Sequence, residues 1–211
     1  MKSNTWMFVT FAGAVLLLTM SATAKAGEYN PVLSIGDKAP AWSKLPGIDG
    51  KKHSLSDLKK KDVVVVAFTC NSCPYAVDYE DRLVAFAKQH TATDSKVALV
   101  AINVNKVAED LPEEMKKRAD AKGFTFPYLF DESQEIAKKF GAGTTPEFFV
   151  LDRDRKVVYM GAMDDSPSAK KVTRRHVEEA VAAALDGKQP EIKETVPIGC
   201  RIRFESRRRR R

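Results

Sequence analysis

Residues 63–75 read VVVVAFTCNSCPY. Val63 to Phe68 is an unbroken β-branched and aromatic run, the composition of a strand covered on both faces in a parallel sheet. From Ala76 the apolar residues fall at Ala76, Tyr79, Leu83, Phe86 and Ala87, the spacing of one helix face. Cys70 and Cys73 therefore sit between a buried strand and the start of a helix. A helix's first turn carries unsatisfied N–H groups and about half a positive charge. A thiolate is favoured there and its pKa falls. Asn71 or Ser72 is expected to cap the helix, and Pro74 loses no hydrogen bond in its first turn. With this spacing one sulfur can attack a partner's disulfide and the other can resolve the mixed disulfide. The same pair can also be a static disulfide or half of a zinc site. The chain has no second Cys-x-x-Cys and no His-x-x-x-His, so no metal is expected.

Outward from this point, strands and helices alternate. Residues 36–50 are rich in turn formers, with Asp49-Gly50 as a hairpin tip. Ser54 to Asp57 can cap a short helix. Residues 96–104 (KVALVAINV) form the next strand, and Asp110-Leu111-Pro112-Glu113 opens a helix with a capping-box pattern. Residues 127–130 are a short strand, and Asp131 and Gln134 open a helix that stops at Gly141. Residues 147–151 and 156–160 are strands joined by a turn, and a last helix spans about residues 173–186. The order βαβ, an inserted helix, βα and ββα is that of an α/β domain with a central sheet. Proline cannot donate to a sheet ladder, so Pro146 must stand at a strand start, where a cis bond is plausible.

A strand, Cys-x-x-Cys and helix, followed much later by Thr145-Pro146 and a strand hairpin, resembles the thioredoxin superfamily. The resemblance implies a thioredoxin-like fold: a central mixed sheet flanked by helices, with an N-terminal hairpin and an inserted helix. It also implies a cis Pro146 beside the cysteines, with Thr145 offering its backbone to a substrate peptide as an added strand. Gly36-Asp37-Lys38-Ala39-Pro40-Ala41-Trp42, Cys70-Asn71-Ser72-Cys73-Pro74-Tyr75 and Pro197-Ile198-Gly199-Cys200 are similar to peroxiredoxin-like redoxins of the alkyl hydroperoxide reductase/thiol-specific antioxidant superfamily. Cys73-Pro74 falls where peroxiredoxins keep their peroxide-attacking cysteine. The threonine three residues earlier is replaced by Cys70, the proline seven residues earlier by Val66, and the peroxide-activating arginine has no counterpart. Arg153 and Arg155 lie in a hairpin turn.

A peroxidase must stabilise charge on the leaving oxygen with preorganised donors, whereas disulfide exchange needs only a poised thiolate, a resolver and an open docking edge. The expected activity is therefore thiol–disulfide exchange with protein partners, with Cys70 as the outer, attacking cysteine and Cys73 resolving. Thr145 and Pro146 form the docking edge, and Glu147 is the candidate base. Peroxide reduction at Cys73 is the alternative. Cys200 can resolve a sulfenate on Cys73, cross-link two chains, or pack as a small apolar residue. A third reading is a Cu(I) carrier using His176 with the cysteines, although such carriers place three residues between their cysteines. No nucleotide- or flavin-binding glycine motif is present, so no cofactor is expected and reduction must come from a thiol carrier. Trp42 and Tyr75 are candidates for the cleft border.

The 211 residues are 44% apolar and 30% charged, enough for one domain with a real core, and three cysteines are too few for a disulfide-framework mini-protein. Lys2, Lys25 and the five arginines at 207–211 equal the whole formal excess of +7, so residues 27–206 are neutral overall. A nucleic-acid partner is not expected without a basic face. Lys2, the 14-residue apolar run 7–20 and the small-x-small exit Ala24-Lys25-Ala26 describe a secretory signal peptide over residues 1–26. The domain is then expected over 27–200, in the periplasm or outside the cell, where disulfides are permitted. An uncleaved leader would instead tether it to a membrane. Residues 201–211 are expected to be a basic, disordered tail that can touch an anionic membrane surface.

Overall fold

In this computed structural model residues 26–205 are described; the leader expectation and the five terminal arginines lie outside them. The turn-rich segment folds into the expected hairpin, β1 (Leu45–Pro46) against β2 (Lys52–His53), turning through Gly50 at φ 75°. The Asp57 carboxylate accepts the Ser54 N–H at 2.7 Å and starts a short 3-10 turn, Leu55–Leu58. The valine run is β3 (Val63–Phe68), followed by α1 (Pro74–His90), β4 (Val97–Asn103), α2 (Pro112–Lys122), β5 (Tyr128–Phe130) and α3 (Glu135–Phe140). Then come β6 (Thr144–Thr145), β7 (Glu147–Leu151), β8 (Val157–Gly161), α4 (His176–Leu185) and β9 (Cys200–Arg201).

The main sheet has the order β5-β4-β3-β7-β8. β3 runs parallel to β4 and antiparallel to β7, so the sheet is mixed, as expected. Every residue of β3 is buried, and alternation sends its side chains into two cores. Val63, Val65 and Ala67 pack with Tyr79, Leu83 and Phe86 of α1, Met115 of α2 and Val177 and Val181 of α4. Val64, Val66 and Phe68 pack on the other face with Ile136 and Phe140 of α3 and with Leu33, Trp42 and Leu55. Trp42 is therefore a core residue rather than a border of the cleft. Phe68, Phe140 and Phe149 form an edge-on triad with centroids 5.1 to 5.8 Å apart.

Arg82 of α1 reaches both oxygens of buried Asp164 at 2.7 and 2.8 Å and lies 3.5 Å over the Tyr79 ring. This pair ties α1 to the loop after β8. The four helices and the strands of the main sheet sit within one to three residues of expectation. The C-terminal limit differs more. The chain does not leave the domain at 200, because Ile202 is buried and residues 201–205 hydrogen-bond back to the body. Only residues 206–211 of the expected tail are outside the described part.

Removing the one ring of this triad that β7 contributes leaves a cavity against the sheet. Phe149→Ala is expected to cost about 3–5 kcal/mol. Urea unfolding with an unchanged slope measures it; a loss under about 1 kcal/mol contradicts the packing described.

Candidate active site

β3 ends against β4, with the Thr69 N–H on the Ile102 carbonyl at 3.1 Å. The next four residues have no sheet partner, and the middle two are held by one buried carboxylate. Asp110 accepts the Asn71 N–H at 2.7 Å, the Ser72 N–H at 2.9 Å and the Ser72 hydroxyl at 2.6 Å. Asn71 is fixed further by its amide on the Glu109 carbonyl and by the Tyr128 hydroxyl. Asp110 was expected to open the following helix. That helix instead starts at Pro112 behind Leu111, and Asp110 faces the cysteine loop. Its role is missed by a local motif reading because its partners lie 38 and 39 residues away.

The helix cap is also not the expected Asn71 or Ser72. Cys73 is the N-cap of α1, its sulfur accepting the Ala76 N–H at 3.5 Å, with Pro74 in the first turn. Both cysteines are buried, Cys70 at 2% and Cys73 at 3% exposure. The expectation that Cys70 is the outer, more exposed sulfur is thus overturned: both cysteines are buried to the same degree.

Thr145 faces both. Its main-chain oxygen accepts the Cys73 thiol at 3.0 Å, and its hydroxyl lies 3.4 Å from the Cys70 sulfur. The Thr145–Pro146 peptide is cis. Cys200 packs on Cys70, Cys73 and Ala76, so the structure brings all three cysteines together, each with a free thiol. The exposed Tyr75 lies in the first turn of α1.

The two central sulfurs are electrostatically unequal. Cys73 is held below the ordinary thiol range, first by accepting the Cys70 hydrogen bond, against opposing burial, then by hydrogen bonds from Cys200, the Ala76 amide and Thr145. Cys70 is pushed up because it gives that hydrogen bond away, is buried, and faces the negative Asp110. Cys200 is also raised, by its hydrogen bond with Cys73 and by burial. On deprotonation Cys73 gives up its bond to the Thr145 oxygen, and the donors around it stabilise the thiolate.

Glu147 is buried at 4%, beside the cis proline and opposite Phe68. Its carboxylate accepts the Gly143 and Thr144 N–H groups at 2.9 and 3.0 Å. Burial raises it to about 7, against the pull of these two bonds.

His176 stacks on the Tyr159 ring, His90 lies tilted against Phe86, and His53 pairs with Asp49. Among the described residues no group of three His, Cys, Asp or Glu side chains is arranged to hold a metal ion. Arg153 pairs with Asp62, and Arg155 donates to the Leu58 and Lys61 carbonyls, so both are used by the hairpin turn and its neighbours.

Comparison with known proteins agrees with this architecture. The profile of the AhpC/TSA family matches residues 35–160. A Mycobacterium tuberculosis protein named as a peroxiredoxin is 32% identical over 142 residues, which are 60% of this chain and 83% of that one. The thiol-disulfide oxidoreductase ResA of Bacillus anthracis is 27% identical over 162 residues, covering 75% of this chain and 88% of its own. Among solved structures, a conserved Geobacillus kaustophilus protein is 36% identical with a TM-score of 0.76, covering 83% of this chain and 95% of its own. A Sinorhizobium meliloti protein is 33% identical with a TM-score of 0.77, over 84% of this chain and 98% of its own. The thioredoxin-like sheet, the Cys-x-x-Cys at its strand end and a family match over more than half the length lead to one statement: the chain belongs to the AhpC/TSA family.

Proposed function

We propose that the protein is an exported thiol–disulfide oxidoreductase that exchanges disulfides with protein partners through Cys70 and Cys73. The observation that carries this reading is the 3.0 Å contact of the Cys73 sulfur with the main chain of Thr145, next to the cis proline. A reactive sulfur there is beside the main chain of Thr145, to which an extended peptide can add as a strand once β9, its present partner, moves aside. The roles of the cysteines are the reverse of the sequence expectation. Cys73 caps the helix and is the better thiolate, so it attacks one sulfur of the partner's disulfide, and the other partner sulfur leaves as a thiolate. Cys70 then gives up its proton and attacks Cys73, which closes the Cys70–Cys73 disulfide and frees the reduced partner. Glu147 is the base assigned to that proton, since a group with a pKa near the working pH exchanges protons efficiently. A thiol carrier returns the pair to the dithiol. Export rests on the leader-like residues 1–26.

Peroxide reduction is the second reading, favoured by the thiolate-stabilising position of Cys73 and by the similarity to a protein named as a peroxiredoxin. The two arginines of the hairpin turn are not available to the departing oxygen, because Arg153 pairs with Asp62 and Arg155 donates to the Leu58 carbonyl.

Insulin-disulfide reduction tests the main reading. Cys73→Ser is expected to abolish it. Cys70→Ser combined with Cys200→Ser, which leaves no second thiol beside Cys73, is expected to lower turnover at least a hundredfold and to trap a mixed disulfide on Cys73. A mixed disulfide trapped on Cys70 in Cys73→Ser contradicts the assignment.

Glu147→Gln is expected to remove a limb near pH 7 from the rate profile. It also has a stability signature. Folded Glu147 holds its proton more tightly than the unfolded chain, so the stability linked to that proton is fully present below pH 4.5 and is lost as pH rises through about 7. Relative to the Gln variant, the wild type is expected to lose about 3 kcal/mol across that window. A pH-independent difference in urea unfolding contradicts this.

A further inference from the structure

The edge that a partner peptide would use is occupied by the chain itself. β6 pairs antiparallel with β9, with Thr145 opposite Cys200 and Thr144 opposite Arg201. The Ile202 N–H extends the ladder to the Gly143 carbonyl at 2.9 Å. Residue 199 is glycine for a visible reason: a Cβ there would lie 2.1 Å from the Thr145 oxygen and 2.6 Å from its carbonyl carbon. No L side chain can approach Thr145 so closely. Beyond β9 the strand is pinned in the domain. Ile202 is buried in the core that holds Phe68 and Phe149. Asn105 accepts the Arg203 N–H at 3.0 Å, and buried Gln134 both donates to the Arg203 carbonyl at 3.0 Å and accepts the Glu205 N–H at 2.8 Å. This anchoring sets Cys200 on the Cys70–Cys73 pair.

We propose that residues 197–205 are a built-in substrate strand, which pairs with Thr145 as a partner polypeptide would and presents Cys200 to Cys73 so that the two form an internal disulfide. The inference rests on the thiol-exchange reading and adds a third redox residue to it. The oxidant is a disulfide. The Cys73 thiolate attacks one sulfur of R–S–S–R, forming Cys73–S–S–R and expelling RS⁻. The Cys200 thiol loses its proton to solvent and attacks the Cys73 sulfur, forming Cys73–Cys200 and expelling the second RS⁻. One disulfide is reduced by two electrons to two thiols, and the same two electrons come from the two protein thiols. Cys70 can then attack Cys73 and release Cys200 as a thiolate, which passes the bond to the Cys70–Cys73 pair. Tethering gives Cys200 a local concentration in the millimolar range or above, so it resolves small adducts ahead of free thiols. A protein partner must lift β9 before it can pair with Thr145.

The test uses the full chain carrying Cys70→Ser, treated with one equivalent of 2-hydroxyethyl disulfide, quenched with acid and mapped by mass spectrometry. The expected product joins Cys73 to Cys200. Adding Gly199→Val, which pushes β9 off Thr145, is expected to lower the rate of closure, taken relative to the rate at which the first adduct on Cys73 forms in the same variant, at least tenfold. A stable 2-hydroxyethyl adduct on Cys73 beside a free Cys200 thiol overturns the proposal, as does an unreacted Cys73. The chain with all three cysteines separates the two levels. If it forms Cys70–Cys73 while the variant stops at the adduct, only the internal strand fails; if it forms no disulfide, the exchange reading fails as well.

Discussion

The hydrogen bond from the Cys73 sulfur to the main-chain oxygen of Thr145 joins two parts of the chain that lie 72 residues apart. On one side of it is the amide end of α1, and on the other the strand start behind the cis proline. Everything chemical in the molecule is arranged around that junction. The sheet places β3 directly beside β7, so the loop leaving one and the loop entering the other must meet at the same edge. The valine run makes that adjacency firm, because a strand buried on both faces cannot leave the sheet without exposing its apolar side chains.

Charge is distributed unevenly across the junction, and this gives the cysteines different work. Asp110 holds the cysteine loop by accepting two backbone N–H groups and a hydroxyl, but it also sets a negative charge beside Cys70. Cys73 sits at the capping position and collects donors instead. The clamp therefore does two things at once, shaping the loop and biasing the protons. A buried pair in which one sulfur is favoured as thiolate and its neighbour as thiol is suited to stepwise exchange, since attack and resolution need opposite protonation states.

Much of this was legible in the sequence. β3 matches the valine run residue for residue, α1 follows the apolar spacing from Ala76, and the Asp49-Gly50 turn closes the hairpin. These features are local and repeat with a fixed period. What stayed hidden depends on contacts between distant segments. β6 and β9 have two residues each, too few to show alternation, and their pairing exists only because the fold brings them to one edge. Asp110 satisfies a helix-start pattern yet serves a loop far away in sequence. That both cysteines are buried does not follow from their spacing either. Glu147 is buried although its strand position next to a proline gives no sign of it.

The claim beneath all of this is that the hydrogen-bond donors gathered around Cys73, that of Cys70 first and the Ala76 amide at the start of α1 among the rest, make it the thiolate of the group. Ultraviolet absorbance of thiolate, followed across pH in the fully reduced protein, measures it directly. The account predicts a first step well below the free-cysteine value of about 8.5, lost in Cys73→Ser and retained in Cys70→Ser. A first step at the ordinary value, or one that survives Cys73→Ser, would contradict it.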